Sequence, residues 1–326
     1  MTKVSIIIPT YNRLTRLKQV ITAIERQTYA LDDVEVIIVS DGSTDGTDSY
    51  FSTIKTSLNL RCVLQQNAGP AAARNNGIRN AQGDIILFID DDVVPSPQLL
   101  TEHMRVHTDR PNMVVLGPML NPPDFTLSPW VAWEQAMLEK QYTAMQQGKF
   151  KTSARQFYTG NTSLPRHILL VSGGFDERFR RAEDIELAYR LRAQAIEFMF
   201  IMTAVGYHYA ERSFSSWLQI PYSYGRHEIT FSREGQGHLI NFINEKFSER
   251  NRLTRLAVKL CLDRPQLSTM IQSMAKWIAD ISYKTGIRGK KISQAAYSAI
   301  FNIRYYQGIA DELGGREVFF GSMNTN

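Results

Sequence analysis

Two cysteines, Cys62 and Cys261, are too few and too far apart in the chain for a disulfide framework or a zinc site. Long apolar runs are missing as well: no stretch approaches the roughly 18 residues of a spanning helix. The chain enters a strand-like run at Val4 to Ile8 with no basic leader before it. Neither a signal peptide nor a membrane span is expected, and a reducing cytoplasm is the expected compartment. The phosphate-loop lysine signature and the Gly-x-Gly-x-x-Gly fingerprint are both absent, which removes the main support for a kinase, an ATPase or a dehydrogenase. Positive charge is scarce where a nucleic-acid surface would need it. Residues 1–240 carry 24 Lys and Arg against 25 Asp and Glu, whereas residues 241–326 carry 13 against 7, so the net +5 lies in the tail and no DNA or RNA partner is expected.

What is present is a chain with 43% hydrophobic and 21% charged residues, enough for a compact core without long disorder. Over its first 120 residues short apolar runs alternate with amphipathic segments, the pattern of βαβ units in a mostly parallel sheet. Strands are expected at Val4–Ile8, Val34–Val39, Asp84–Ile89 and Met113–Leu116. Leu14, Leu17, Val20, Ile21 and Ile24 recur at three and four residues and mark a helix, with Asn12 as its expected N-cap. Pro70 opens a second helix that Gly83 is expected to close, and Ser96-Pro97 and Ser128-Pro129 open two more. Further on, a strand is expected at Phe157–Leu164, a helix over about Ala182–Ala193, and strands at Glu197–Met202 and Gly206–Tyr209. From Ser213 the chain reads as helical, and Met270, Ile271, Met274, Trp277, Ile278 and Ile281 form an apolar stripe.

Ligands of open α/β sheets collect at the carboxyl ends of parallel strands. Here those ends read Pro9 to Arg13, Ser40 to Gly46, and Asp90-Asp91-Asp92. Three successive carboxylates repel one another unless a cation joins them. Magnesium and manganese accept one or two carboxylates together with substrate phosphates, so a strand-end Asp-x-Asp suits a metal-bridged diphosphate. A solvated acidic turn ahead of a proline-capped helix is the plainer alternative. For Asp41 to Thr47 the alternative is a turn that caps the next helix.

Four segments, Ser5 to Arg13, Val39 to Thr47, Phe88 to Pro95, and Gly174-Phe-Asp-Glu177 ahead of Glu183-Asp184, together resemble glycosyltransferase family 2, whose motifs occur in this order. The resemblance covers residues 3 to about 210 and continues weakly through Tyr224-Gly225-Arg226. It implies a GT-A fold: an α/β, Rossmann-like, mixed but mostly parallel sheet flanked by helices. The nucleotide-sugar half would span about residues 1–120 and the acceptor half about 121–212, with a helical C-terminal extension over 213–326. It implies an inverting transferase that moves a sugar from a nucleotide diphosphate, most simply a UDP-sugar, onto a saccharide, lipid-linked or small-molecule acceptor with Mg2+ or Mn2+. By position, Pro9, Thr10, Tyr11 and Asp41 would meet the nucleobase with Arg74 beside it. Asp90 and Asp91 would serve the nucleotide, with Asp90 at the ribose. Asp92 would hold the metal, with His208 as a further ligand. Asp184 would be the base that takes the acceptor proton, beside Glu183. Family members usually carry a carboxylate where this chain has Ser40.

Some readings stay open. Early acids on a helix also complement its dipole, and this is the expected role of Glu186. Trp130, Trp133, Tyr158, Gly160 and Asn161 are candidates to line the acceptor side, and the two tryptophans equally suit the core. The basic C-terminal helices, near Arg288, Lys290 and Lys291, either pack on the parent domain or a second subunit, or rest on an anionic membrane at its inner face. An idle nucleotide-sugar-binding module and a nucleotidyltransferase are the competing functions.

Overall fold

The computed structural model describes residues 3–179, 181–233 and 239–323. The chain divides into two compact units, one of Met1–Phe125 with Met137–Ala210, the other of Thr126–Ala136 with Glu211–Asn326.

The first unit is built on a seven-stranded sheet. Its strands are β1 (Val4–Thr10), β2 (Val34–Asp41), β3 (Asn59–Gln65), β4 (Ile85–Ile89), β6 (Met113–Leu116), β8 (Asn161–Pro165) and β9 (Glu197–Phe200), with order β3-β2-β1-β4-β8-β6-β9. Every pairing is parallel except those of β8 with β4 and with β6. β1, β2 and β4 are near-continuous Val and Ile because both faces are covered, which is why apolar runs rather than alternation announced them. β3 escaped the sequence reading because it is a half-exposed edge strand. A small second sheet joins β5 (Val93–Pro95), β10 (Gly206–His208) and β7 (Met119–Leu120), with β10 between the other two.

The helices of this unit are α1 (Leu14–Glu25), α2 (Thr47–Phe51), α3 (Pro70–Asn80), α4 (Leu99–Asp109), the later part of α5 (Pro129–Gln146), α6 (Arg166–Val171) and α7 (Glu183–Ala193). α1 buries Leu17, Val20, Ile21 and Ile24 against the sheet, the stripe its spacing predicts. Its N-terminus is not capped by Asn12. The N–H of Leu14 donates to Asp45 Oδ2 at 2.8 Å, while Asn12 sits at φ 54° and its side-chain oxygen accepts from the N–H of Thr44. The segment after β2 therefore supplies the cap that the preceding residue was expected to provide. α3 begins at Pro70 as expected but ends at Asn80, short of Gly83, because Gly83 belongs to the turn that packs on Ser5.

The second unit holds the first turns of α5 and, among the described residues, α8 (Phe214–Arg233), α9 (Leu239–Ser248), α10 (Arg252–Cys261), α11 (Pro265–Tyr283), α12 (Gly286–Leu313) and α13 (Arg316–Met323). Residues 234–238 and 324–326 of the expected helical extension lie outside the described residues. α8 and α12 pack backbone to backbone. A Cβ on Gly225 would lie 2.0 Å from the carbonyl oxygen of Tyr305, and one on Gly308 2.1 Å from that of Tyr222, so only glycine permits the approach. Trp133 is 7% exposed and packs edge-on to Trp217, which settles its core role and removes it from any acceptor surface. Trp130 packs in the same cluster and donates its ring N–H to the carbonyl oxygen of Arg212. No helix among the described residues is long and apolar enough to cross a membrane.

Candidate active site

The parallel register of β1 with β2 and β4 carries the three polar strand ends to one edge of the sheet. There Asp41 is 5% exposed and already engaged. Its Oδ1 accepts from Gln65 Nε2 and the N–H of Ala68, both at 2.8 Å, and its Oδ2 accepts from the N–H of Gly69 at 2.9 Å. A carboxylate offers about four lone-pair sites, so one remains, on Oδ2. Tyr11 next door is 50% exposed. Pro9 is half-buried beside it, and Thr10 is turned inward, donating its hydroxyl to Asp91 Oδ2 at 2.8 Å. Ser40 donates to Asp48 Oδ1 at 2.6 Å. A carboxylate from α2 thus stands beside position 40, a partnership that only the fold reveals.

The three aspartates after β4 have separate surroundings. Asp90 Oδ1 accepts from Arg74 Nη2 at 2.9 Å. Asp91 is buried, which pushes its carboxyl up to about 7, a rise that Arg13 opposes and the neighbouring Asp92 reinforces. Burial also presses Asp92 upward, but His208 and Arg13 outweigh it and hold that carboxyl well below the usual range. His208 Nε2 stands 3.6 Å from Asp92 Oδ1, because the antiparallel pairing of β10 with β5 sets His208 opposite Val93. The guanidinium of Arg13 is hydrogen-bonded to Asp92 Oδ2 and lies 3.6 Å from Asp91 Oδ1. Arg13, to which the motif alone assigns no role, is the cation that stands between these carboxylates.

Arg74 is buried on α3 and joins two parts of the site. It bonds Asp90 with one nitrogen and Glu183 Oε1 with the other, the latter at 2.8 Å, and its Nε has no partner among the described residues. Glu183 and Asp184 open α7 immediately after Ala182, a residue held at φ 61°. The N–H of Ile185 donates to Asp184 Oδ1 at 2.8 Å. Burial and the adjacent Glu183 push the Asp184 carboxyl up to about 7 against the opposing pull of Arg74. Glu186 pairs with Arg190, which also donates to the carbonyl oxygens of Ser172 and Gly174. Its duty is to fasten that turn. Asn75 does the same from α3, donating to the carbonyl oxygen of Phe175 and to Glu177 Oε1 while accepting from the N–H of Phe175.

Two residues held open for an acceptor surface are placed otherwise. Asn161 is fully buried: its amide donates to the carbonyl oxygens of Pro118 and Ala204, and its oxygen meets His103 Nε2 at 2.9 Å. Burial holds His103 and His107 down at about 4, hence neutral, and both meet the hydroxyl of Ser163. Asn161 is a structural hub. Gly160 beside it is wedged between the core and the site, since a Cβ there would stand 2.5 Å from Met119 Sδ and 2.9 Å from Asp90 Oδ2. Tyr158 donates its hydroxyl to the carbonyl oxygen of Gly117.

A model of glycosyl transferase family 2 matches residues 5–176, just over half of the chain. The chain belongs to glycosyl transferase family 2. Validoxylamine A glucosyltransferase of Streptomyces hygroscopicus subsp. jinggangensis (strain 5008) is 35% identical over 224 residues, 59% of this chain and 52% of that protein. Chondroitin synthase of Escherichia coli is 27% identical over 235 residues, 63% of this chain and 34% of that protein. The chain thus spans about half, or less, of the length of these relatives. Among solved structures, S. aureus TarS 1–349 in complex with UDP-GlcNAc gives a TM-score of 0.58 at 18% identity, covering 96% of this chain and 92% of that one. Mannosyltransferase PcManGT from Pyrobaculum calidifontis, in complex with GDP-Man and Mn2+, gives 0.61 at 19%, covering 91% and 85%. At such identities the likeness establishes the GT-A fold of this family 2 member.

Proposed function

We propose that this family 2 chain transfers a sugar from a nucleotide diphosphate to an acceptor hydroxyl, with inversion at the anomeric carbon. The observation that carries the reading is Arg74, whose guanidinium ties Asp90 on the nucleotide edge to Glu183 beside Asp184. In this reading the donor-binding carboxylate after β4 and the proton-accepting one at the start of α7 are thereby held together, as a single displacement requires.

The donor base in this reading is a pyrimidine imide, uracil or thymine, and uracil is the one proposed. Guanine offers two adjacent N–H donors that ask for both oxygens of a free carboxylate, and Asp41 has one acceptor position left. A pyrimidine imide offers a single N–H between two carbonyl groups and fits that one position, with the ring stacked on Tyr11. Asp90 would meet the ribose and Asp91 would support the same turn from behind.

A divalent cation fits the acidic edge. The guanidinium of Arg13 already stands there as a cation between Asp91 and Asp92. Among the described residues no group of three or more Asp, Glu, His or Cys side chains could hold a metal ion by itself, so substrate phosphate and water would have to supply most of the ligands of Mg2+ or Mn2+. Asp92 and His208 would hold it, and it would offset the charge of the departing diphosphate. The chain's own part is to orient the sugar and to take one proton. Asp184 accepts the proton of the acceptor hydroxyl as its oxygen bonds to the anomeric carbon and the bond to the diphosphate oxygen breaks. The acceptor is a saccharide, a lipid-linked sugar or a small alcohol.

Thermal-shift screening of UDP, GDP, dTDP and their sugars, with and without Mn2+, followed by donor turnover with a panel of acceptors, tests the reading. Selective stabilisation by UDP ligands with turnover is expected. Stabilisation by GDP alone would overturn the uracil assignment, and binding with no turnover or donor hydrolysis would favour the idle module. Gly160→Ala is expected to weaken UDP binding by about tenfold, since the added methyl must push both Met119 and Asp90 aside. Calorimetric titration reads it.

A further inference from the structure

Most of the large apolar side chains of α11 are exposed, Leu267 and Ile271 being half-buried. The positions it buries are Ser268, Gln272 and Ala279, whereas Met270, Met274 and Trp277 are 54%, 58% and 67% exposed, and Ile278 and Ile281 are exposed with them. Helices ordinarily turn the opposite face inward. The adjoining α10 buries Val258 and Cys261 but also turns leucines outward, with Leu253 80% exposed and Leu256 and Leu260 exposed one and two turns on.

The same stretch is strongly basic. Residues 250–291 contain ten Lys and Arg against two Asp. Both aspartates are engaged within the unit, Asp263 accepting from Gln307 and from the N–H of Arg316, and Asp280 from Lys276 and the hydroxyl of Tyr297. Arg252 and Lys259 flank the α10 leucines, and Lys284, Arg288, Lys290 and Lys291 follow the α11 stripe, all of them exposed. A second copy of the chain is a poor occupant, because a two-fold interface lays each patch on its equal and sets like charge on like.

We propose that α10 and α11 form a docking surface for an anionic lipid bilayer, the apolar stripe entering the headgroup boundary while the flanking Lys and Arg meet lipid phosphates. Both terms are needed, since an apolar stripe alone does not select charged lipid and a basic patch alone binds weakly and reversibly. The surface is independent of the transferase chemistry and stands or falls separately from it.

The test is co-sedimentation of the full chain with phosphatidylcholine vesicles, with and without phosphatidylglycerol, at low and high salt. Binding to the anionic vesicles alone is expected, released by salt as exposed charges are screened. Lys290→Glu with Lys291→Glu, and separately Met274→Ser with Trp277→Ser, should each weaken it by about tenfold or more while leaving UDP binding unchanged. A blue shift of tryptophan emission on binding should vanish in Trp277→Phe. No sedimentation with anionic vesicles would overturn the proposal, and so would equal binding to neutral ones. A lipid-free dimer by light scattering that Trp277→Glu dissolves would assign the face to a second copy instead.

Discussion

Replacement of Asp184 by Asn is expected to lower sugar transfer by about 10²–10⁴-fold, the range ascribed to a general base, while UDP binding stays within a fewfold of wild type. Asn fills the same space and cannot take the proton. The wild-type pH profile should mark the same residue. Burial and Glu183 push the Asp184 carboxyl up to about 7, so the basic form falls about tenfold for each pH unit below that value, and an acid limb should break near pH 7. The variant should lose the limb. Stability should move in the opposite sense to activity. A carboxyl whose pKa is raised in the folded state holds its proton more tightly there than in the unfolded chain, so its stabilising contribution is present below about pH 4 and is lost as pH rises through about 7. At pH 8 the Asn variant should therefore melt no lower than wild type. A thermal scan at pH 5 and at pH 8, beside a pH–rate profile, separates a misfolded variant from one that lacks only its base.

How much of this was legible in the sequence depends on whether a feature is local. β1, β2 and β4 are uninterrupted apolar runs, and the α1 stripe repeats at helical spacing, so both could be read directly. The polar strand ends followed from them, and with them Asp41, Asp90 and Asp92. Partnerships across the fold were not legible. That Asp48 meets Ser40, that Asp45 caps α1 and that Arg13 crosses to Asp92 depends on which loops the parallel sheet sets side by side. Asn161 was read as a candidate surface residue from its neighbours, yet its three internal partners come from three distant segments. The α11 stripe exposes the limit of periodicity itself: spacing shows that Met270, Met274, Trp277 and Ile281 share a face, and only packing shows that the face is turned outward.

The acidic edge supplies a second large effect through an exchange of cations. With no metal added, Arg13 neutralises Asp91 and Asp92, and a metal that binds Asp92 must displace that guanidinium. Arg13→Gln should then act in two directions. Without metal the chain should lose about 1–2 kcal/mol of stability, the loss expected when one member of a partly exposed pair leaves buried carboxylates uncompensated. With UDP present, the same variant should bind Mn2+ more tightly than wild type, because no resident cation has to leave. Asp92→Asn should do the reverse, removing metal dependence together with transfer, by at least about 100-fold if the cation offsets several kcal/mol of leaving-group charge. Calorimetric titration of Mn2+ into the UDP-saturated proteins, with melting curves in chelator, reads both signs. Unchanged Mn2+ affinity in Arg13→Gln would show that the guanidinium does not stand in the metal's place. If Asp92→Asn retained metal-dependent turnover, the cation would have to be held elsewhere on the strand edge.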